Sequence, residues 1–240
     1  MKALRAFRKR QPMNFKRYAI YYLPEPGPLA EFGAAWLGWD AATGQDMAHP
    51  CIDGLPLPVE QITDTPRKYG LHATIKPPFR LAPGTTENAL NDALAAFCAD
   101  QPAVTLDGLD LAQLGRFLAL RPEGDETALN ALAASAVRIL DAFRAPMTEA
   151  ELTRRRAANL SPEQDALLLQ WGYPYVMESF RFHITLTGKL PKAQARKTAQ
   201  VLKPHLAPLL PHPFRIATLS LMGEADDERF HLIARHELTG

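Results

Sequence analysis

The tightest constraint on this chain is a short pattern that occurs twice, in Tyr69-Gly-Leu-His-Ala-Thr-Ile-Lys76 and in Arg181-Phe-His-Ile-Thr-Leu-Thr-Gly188. Each stretch alternates apolar and polar residues, as a half-buried strand does. Side chains at i and i+2 of a strand share a face, so His72 projects with Thr74, and His183 with Thr185. Leu71, Ala73 and Ile75 form the apolar face of the first stretch, and Phe182, Ile184 and Leu186 that of the second. By the same alternation Lys76 is expected beside His72 and Thr74, and Arg181 beside His183.

What surrounds each stretch repeats as well. After the first, Thr85 or Thr86 opens a helix whose Leu90, Ala93, Leu94, Phe97 and Cys98 form one apolar stripe, and two strand-like runs follow at 103–111 and 116–121. After the second comes a helix carrying Ala195, Ala199, Val201 and Leu202, then strand-like runs at 214–222 and 230–236. Both halves read strand, helix, strand, strand. The segment between them is helical: residues 125–144 form an amphipathic helix capped by Asp125, and Thr148 to Glu151 and Ser161 to Gln164 are capping boxes that open two more. Arg154, Arg155 and Arg156 lie on this connector and read as a solvated helix face, one of which can reach a cleft.

A first strand begins near Tyr18 and stops at Pro24, and a short amphipathic segment with Leu29, Phe32, Trp36 and Leu37 follows. Residues 45–68, rich in proline and glycine, are expected to be a loop or a lid. The chain thus divides into a basic tail at 1–15, expected to be either disordered or a mis-assigned start with Met13 as the true initiator, and one bilobal domain at 16–240. Lobe one covers about 16–122, the helical connector about 123–170 and lobe two about 171–240. A pseudo-two-fold axis between the lobes would bring the two His-x-Thr strands together with their polar faces lining one cleft.

Charge and cysteine content narrow the functions. Lys2, Arg5, Arg8, Lys9, Arg10, Lys16 and Arg17 all precede the first acidic residue, so the formal net charge of +1 becomes −6 over residues 18–240. An acidic body argues against a broad duplex nucleic-acid footprint. Cys51 and Cys98 form no Cys-x-x-Cys or Cys/His cluster, which leaves no disulfide framework and no metal site to expect. Apolar runs are too short for a membrane span, and a cytoplasmic location is the expectation.

Paired His-x-Thr motifs half a chain apart, together with the flanking text from Thr65 to Arg80 and from Trp171 to Gly188, resemble the 2H phosphoesterase superfamily of RNA ligase-like cyclic phosphodiesterases. Within it they are similar to a bacterial branch of phosphonate-metabolism proteins found with carbon-phosphorus lyase genes. The resemblance runs from about Tyr18 to near the C-terminus. It implies an α+β, bilobal pseudo-two-fold fold with two antiparallel sheets around a central cleft and helices outside. It implies His72 and His183 as the catalytic pair, Thr74 and Thr185 as phosphate hydrogen-bond donors, and a small cyclic phosphodiester as substrate, for this branch a ribosyl 1,2-cyclic phosphate.

The chemistry suits such a pair. Ring opening needs a base on the attacking side and an acid on the leaving side, and imidazoles serve both roles near neutrality without cofactor or metal. Lys76 and Arg181 are candidates to offset phosphate charge, and Tyr69 and Tyr173 to stack on a substrate ring, with a buried or lid role as the alternative for the tyrosines. RNA-end processing on 2′,3′-cyclic or 2′-5′ linked RNA and a non-catalytic phosphate-binding module are the competing readings. The sequence leaves the acid and base assignment and the oligomeric state open.

Overall fold

A computed structural model describes residues 13–240; the basic tail falls largely on residues 1–12, outside the described residues. The strands are β1 (Arg17–Tyr22), β2 (Trp39–Asp40), β3 (Gln45–Asp46), β4 (Ala73–Phe79), β5 (Val104–Leu106), β6 (Gly108–Leu114), β7 (Phe117–Glu123), β8 (Ile184–Thr185), β9 (Phe214–Ile216), β10 (Thr218–Glu224) and β11 (Phe230–Glu237). The helices are α1 (Pro28–Leu37), α2 (Val59–Ile62), α3 (Asp64–Arg67), α4 (Glu87–Ala99), α5 (Thr127–Ile139), α6 (Glu149–Arg156), α7 (Pro162–Trp171) and α8 (Lys192–Leu206). No helix among the described residues is long and apolar enough to cross a membrane.

The fold is α+β, and its strand pairings are antiparallel. Seven strands run in the order β11-β10-β1-β4-β8-β7-β6. This order consists of two antiparallel half-sheets, β11-β10-β1-β4 and β8-β7-β6, that meet at one residue pair, Ala73 with Ile184. The half-sheets are not the contiguous halves of the sequence. The hairpin β6/β7, from the first half, joins the second His-x-Thr strand, while β10/β11, from the second half, lies on the side of the first.

Helices follow the same exchange: α4 packs on β10 and β11, and α8 on β6 and β7. A short β5–β9 ladder ties the two halves together a second time. It exists because each strand-like run breaks in two, at Asp107 and at Ala217. At the first break Gly108 lies under the exposed His212 ring, which would have to swing aside for a Cβ, since one built there sits 2.2 Å from it.

Local signals place the helices. Thr86, not Thr85, caps α4 by accepting from the Ala89 amide at 3.2 Å. Both connector capping boxes form, at Thr148/Glu151 and at Ser161/Gln164. The expected helix 125–144 is shorter: Asp125 accepts from the Thr127 amide and hydroxyl just ahead of α5, and after Ile139 the chain tightens into a 3-10 turn at Asp141–Phe143. Residues 45–68 are a hairpin strand, a loop and two short helices, and 49–60 line a hollow of their own. The core between sheet and helices includes Trp36, fully buried, whose indole N–H donates to the Leu186 carbonyl at 2.7 Å and anchors the chain just past β8.

Candidate active site

Ala73 and Ile184 are the middle residues of the two His-x-Thr motifs, and both are fully buried. Continuing that antiparallel register by one residue sets His72 opposite Thr185 and Thr74 opposite His183, four polar side chains on one face at neighbouring positions. On the far side of β4, Tyr21 pairs with Thr74, and on the far side of β8, Ala119 pairs with Thr185.

Both histidines are held in the same way. The His72 Nδ1 lies 3.0 Å from the Gly70 carbonyl, and the His183 Nδ1 lies 2.8 Å from the Arg181 carbonyl. A carbonyl only accepts, so Nδ1 carries the proton in each ring, and Nε2 of the neutral ring is an acceptor. The Thr74 hydroxyl sits 3.3 Å from the His72 Nε2. His72 is stacked on Tyr21 at 4.1 Å between centroids and flanked by Tyr69 at 5.5 Å. Burial pushes its pKa down to about 4; the Gly70 bond opposes this, and the nearby charge of His183 adds to it. His183 lies against the Phe117 ring at 5.9 Å.

His72, Thr74 and Thr185 line a cleft of about 570 Å³ together with Tyr69 and Tyr173. A second cavity of about 440 Å³ adjoins it through Thr74, Pro77 and Tyr173, and His183 and Arg181 are on its wall. Neither lining contains an aspartate or glutamate among the described residues. The main cleft is instead edged by Arg17, Lys68, Arg154, Arg155 and Lys189, which gives it a positively charged lining.

Two of the expected cations are elsewhere. Lys76 is buried at 1% exposure, where its Nζ donates to Asp141 and to the Val137 carbonyl, both at 3.1 Å. The reason is a bulge: one step along β1, from Ile20 to Tyr21, moves the partner on β4 from Lys76 to Thr74, so Ile75 is extra and the alternation breaks. Burial lowers the Lys76 ammonium to about 8 despite the pull of Asp141, which leaves the pair charged at neutral pH. Arg181 turns back on its own chain, its guanidinium donating to the Glu178 and Phe180 carbonyls, and borders only the adjoining cavity. Tyr69 and Tyr173 do border the cleft. Tyr69 stacks on Phe230 and Tyr173 packs edge-on against Tyr175, so each has a packing role as well.

Sequence reasoning missed Arg17, Tyr21, Lys68, Phe117 and Lys189. For Arg17 and Tyr21 a signal existed: four apart on one strand, they share a face. Arg154 and Arg155, read as a solvated helix face, reach the cleft from the connector.

Residues 74–231 match the model of a family described as "Protein of unknown function (DUF1045)". The chain belongs to this family. Among relatives of this DUF1045 protein, one from Janthinobacterium sp. (strain Marseille) is 43% identical over 184 residues, covering 76% of the chain and 41% of the relative. Another, from Laribacter hongkongensis (strain HLHK9), is 37% identical over 175 residues, covering 72% and 40%. Both are named ribose 1,5-bisphosphate phosphokinase PhnN. The DUF1045 chain spans about two fifths of the length of these relatives. Solved structures similar to it include E. coli LigT with 3′-AMP, at 17% identity, 95% and 100% coverage and a TM-score of 0.42. A Thermus thermophilus protein, TT0787, is similar at 13% identity, 93% and 98% coverage and a TM-score of 0.42.

Proposed function

We propose that this protein is a cyclic phosphodiesterase that opens a small cyclic phosphate by two-histidine acid–base catalysis, with a ribosyl 1,2-cyclic phosphate of phosphonate breakdown as its substrate. The observation that carries the reading is the matched pair of imidazoles, each with Nδ1–H fixed on the carbonyl two residues back, His72 on the main cleft and His183 on the cavity that adjoins it through Thr74.

His72, neutral at physiological pH because of its burial, is the base: its Nε2 takes a proton from a water that attacks phosphorus. As the new P–O bond forms, the ring P–O bond on the opposite side breaks, and His183, acting as the imidazolium, gives its Nε2 proton to the departing sugar oxygen and keeps its Nδ1 proton on the Arg181 carbonyl. The hydroxyls of Thr74 and Thr185 donate to non-bridging oxygens, where charge accumulates, and the cationic rim lowers the cost of that charge. The product is a phosphomonoester. When the O2 side leaves, the phosphate stays on C1, and the relatives that this chain partly matches are named for a sugar bearing a C1 phosphate. Their kinase name finds no phosphate-cradling Gly-x-x-x-x-Gly-Lys-Ser/Thr loop in this chain, where Gly188-Lys189 is followed by Leu190. The expected site of action is the cytoplasm.

RNA-end processing is the second reading, favoured by Tyr173, Tyr175 and Phe180 around the adjoining cavity, which offer a base somewhere to stack. The test is hydrolysis of ribosyl 1,2-cyclic phosphate, 2′,3′-cyclic nucleotides and 2′-5′ linked dinucleotides with EDTA present. The proposal expects the sugar phosphate to turn over fastest and EDTA to change nothing. Activity on RNA ends alone would replace it with the second reading. Binding without turnover of any of them would leave a phosphate-binding module.

A further inference from the structure

Strand β7 brings to the His183 side a residue that the proposed chemistry leaves unused. Its register with β8 pairs Ala119 with Thr185 and Leu120 with Ile184, so one further step sets Arg121 opposite His183. Leu118 and Leu120 are fully buried on the far face, which leaves Ala119 and Arg121 on the face that carries Thr185 and His183. Directly opposed side chains start about 5 Å apart at their Cβ atoms. Arg121 and His183 accordingly share a wall of the cavity of about 440 Å³ that adjoins the main cleft.

The Arg121 guanidinium is tethered at one corner and open at another. Its Nη2 donates to Glu126 at 3.1 Å, its Nε is buried without a hydrogen-bond partner, and its Nη1 has none among the described residues. Asp110, its register partner on β6, makes no ion pair with it among the described residues. Arg181, also on this wall, turns its Nη1 to the Glu178 and Phe180 carbonyls instead. The rest of the lining is mainly apolar, with Leu114, Tyr173, Tyr175 and Phe180. Such walls suit the C–H face of a sugar, and a fixed donor at their edge suits one of its hydroxyls.

We propose that Arg121 is a specificity-determining residue whose Nη1 donates to the sugar hydroxyl on the carbon next to the scissile oxygen, the C3 hydroxyl of a ribosyl 1,2-cyclic phosphate. His183 protonates O2 as the ring P–O bond breaks, so the adjacent carbon and its hydroxyl fall at the neighbouring position on the wall, where Arg121 stands. The contact turns O2 toward the His183 Nε2 and selects a sugar hydroxylated beside the leaving oxygen over one that lacks this group. The inference rests on the cyclic phosphodiesterase reading for which oxygen departs.

The test measures kcat/KM and calorimetric binding of ribosyl 1,2-cyclic phosphate and its 3-deoxy analogue, in EDTA, for the parent, Arg121→Met and Arg121→Lys. The parent is expected to favour the ribosyl compound by about 10-fold to 100-fold, a comparison that needs no variant. Arg121→Met, at a partly exposed position, is expected to cut that preference to about 3-fold or less by lowering kcat/KM on the ribosyl compound alone, with Arg121→Lys restoring part of it. A parent without preference, a preference that survives Arg121→Met, or binding of neither compound would overturn the assignment. An equal loss on both compounds, as a merely structural role gives, would overturn it too. A preference in binding that Arg121→Met removes, with no turnover of either compound, would keep the sugar contact and remove the phosphodiesterase; turnover of both without a preference would do the reverse.

Discussion

Ala73 pairs with Ile184, and this single register contact joins the two halves of the sheet at the middle residue of each His-x-Thr motif. One residue to either side, the register alternates His with Thr across the seam. The proposed chemistry uses that alternation: each phosphate oxygen in the site meets a hydroxyl next to an imidazole. Thr74→Val and Thr185→Val keep the strand and remove a donor. Each is expected to lower kcat by about 10²-fold to 10³-fold, with little change in thermal stability, measured by steady-state kinetics beside a melting curve.

The Gly70 carbonyl that orients His72 belongs to a residue at φ 69°, and a Cβ there would meet the Ala41 Cβ at 2.7 Å. Gly70→Ala is expected to cost about 1–2 kcal/mol for the left-handed backbone alone, more with the clash, and to turn the imidazole from its working direction. Urea unfolding should show the loss, and kcat should fall further than the fraction unfolded explains.

Titration of His72 gives a signed prediction. Unfolded, the ring takes up its proton near 6.5; folded, burial delays this to about 4. Between those values the unfolded chain holds more protons, so stability is fully present above pH 6.5 and is lost as pH falls toward 4. In His72→Asn this part of the decline should vanish, as read from urea midpoints across that range. The acid limb of kcat/KM should likewise fall near pH 4 and not near 6.5.

Lys76 provides a control. Lys76→Met removes the bonds to Asp141 and Val137 inside the core, although Asp141 keeps Arg144 at 2.7 Å. A stability loss of about 1–3 kcal/mol is expected, with kcat of the folded fraction retained, because the side chain does not reach the cleft. A loss of kcat with unchanged stability would put Lys76 back among the phosphate-binding groups.

Lys76 also marks where reading the sequence stops. Alternation read both motifs as strands, and β4 and β8 take up Thr74 and Thr185 with His72 and His183 one residue ahead of them, since a two-residue period is a local property. The repeated strand, helix, strand, strand order was legible for the same reason. A one-residue bulge after Thr74 is also local, but nothing in Thr-Ile-Lys-Pro announces it, and it moves Lys76 from the polar face into the core. Exchange of the hairpins between half-sheets depends on which edges find each other, a long-range choice that element order does not encode. Arg155 shows the same limit: on its helix it looks solvated, and only the approach of α6 to Tyr173 turns it toward the cleft.

The central claim is that His72 and His183 act as one acid–base unit, and a double-substitution cycle tests it most directly. Single-turnover and steady-state rates on ribosyl 1,2-cyclic phosphate in EDTA would be measured for His72→Ala, His183→Ala and the double variant, each checked for folding by circular dichroism. Each single change is expected to lower kcat by about 10²-fold to 10⁴-fold, with the double variant little worse than either, as for groups that work only together. A folded single variant that keeps kcat within about 3-fold of the parent would contradict the account.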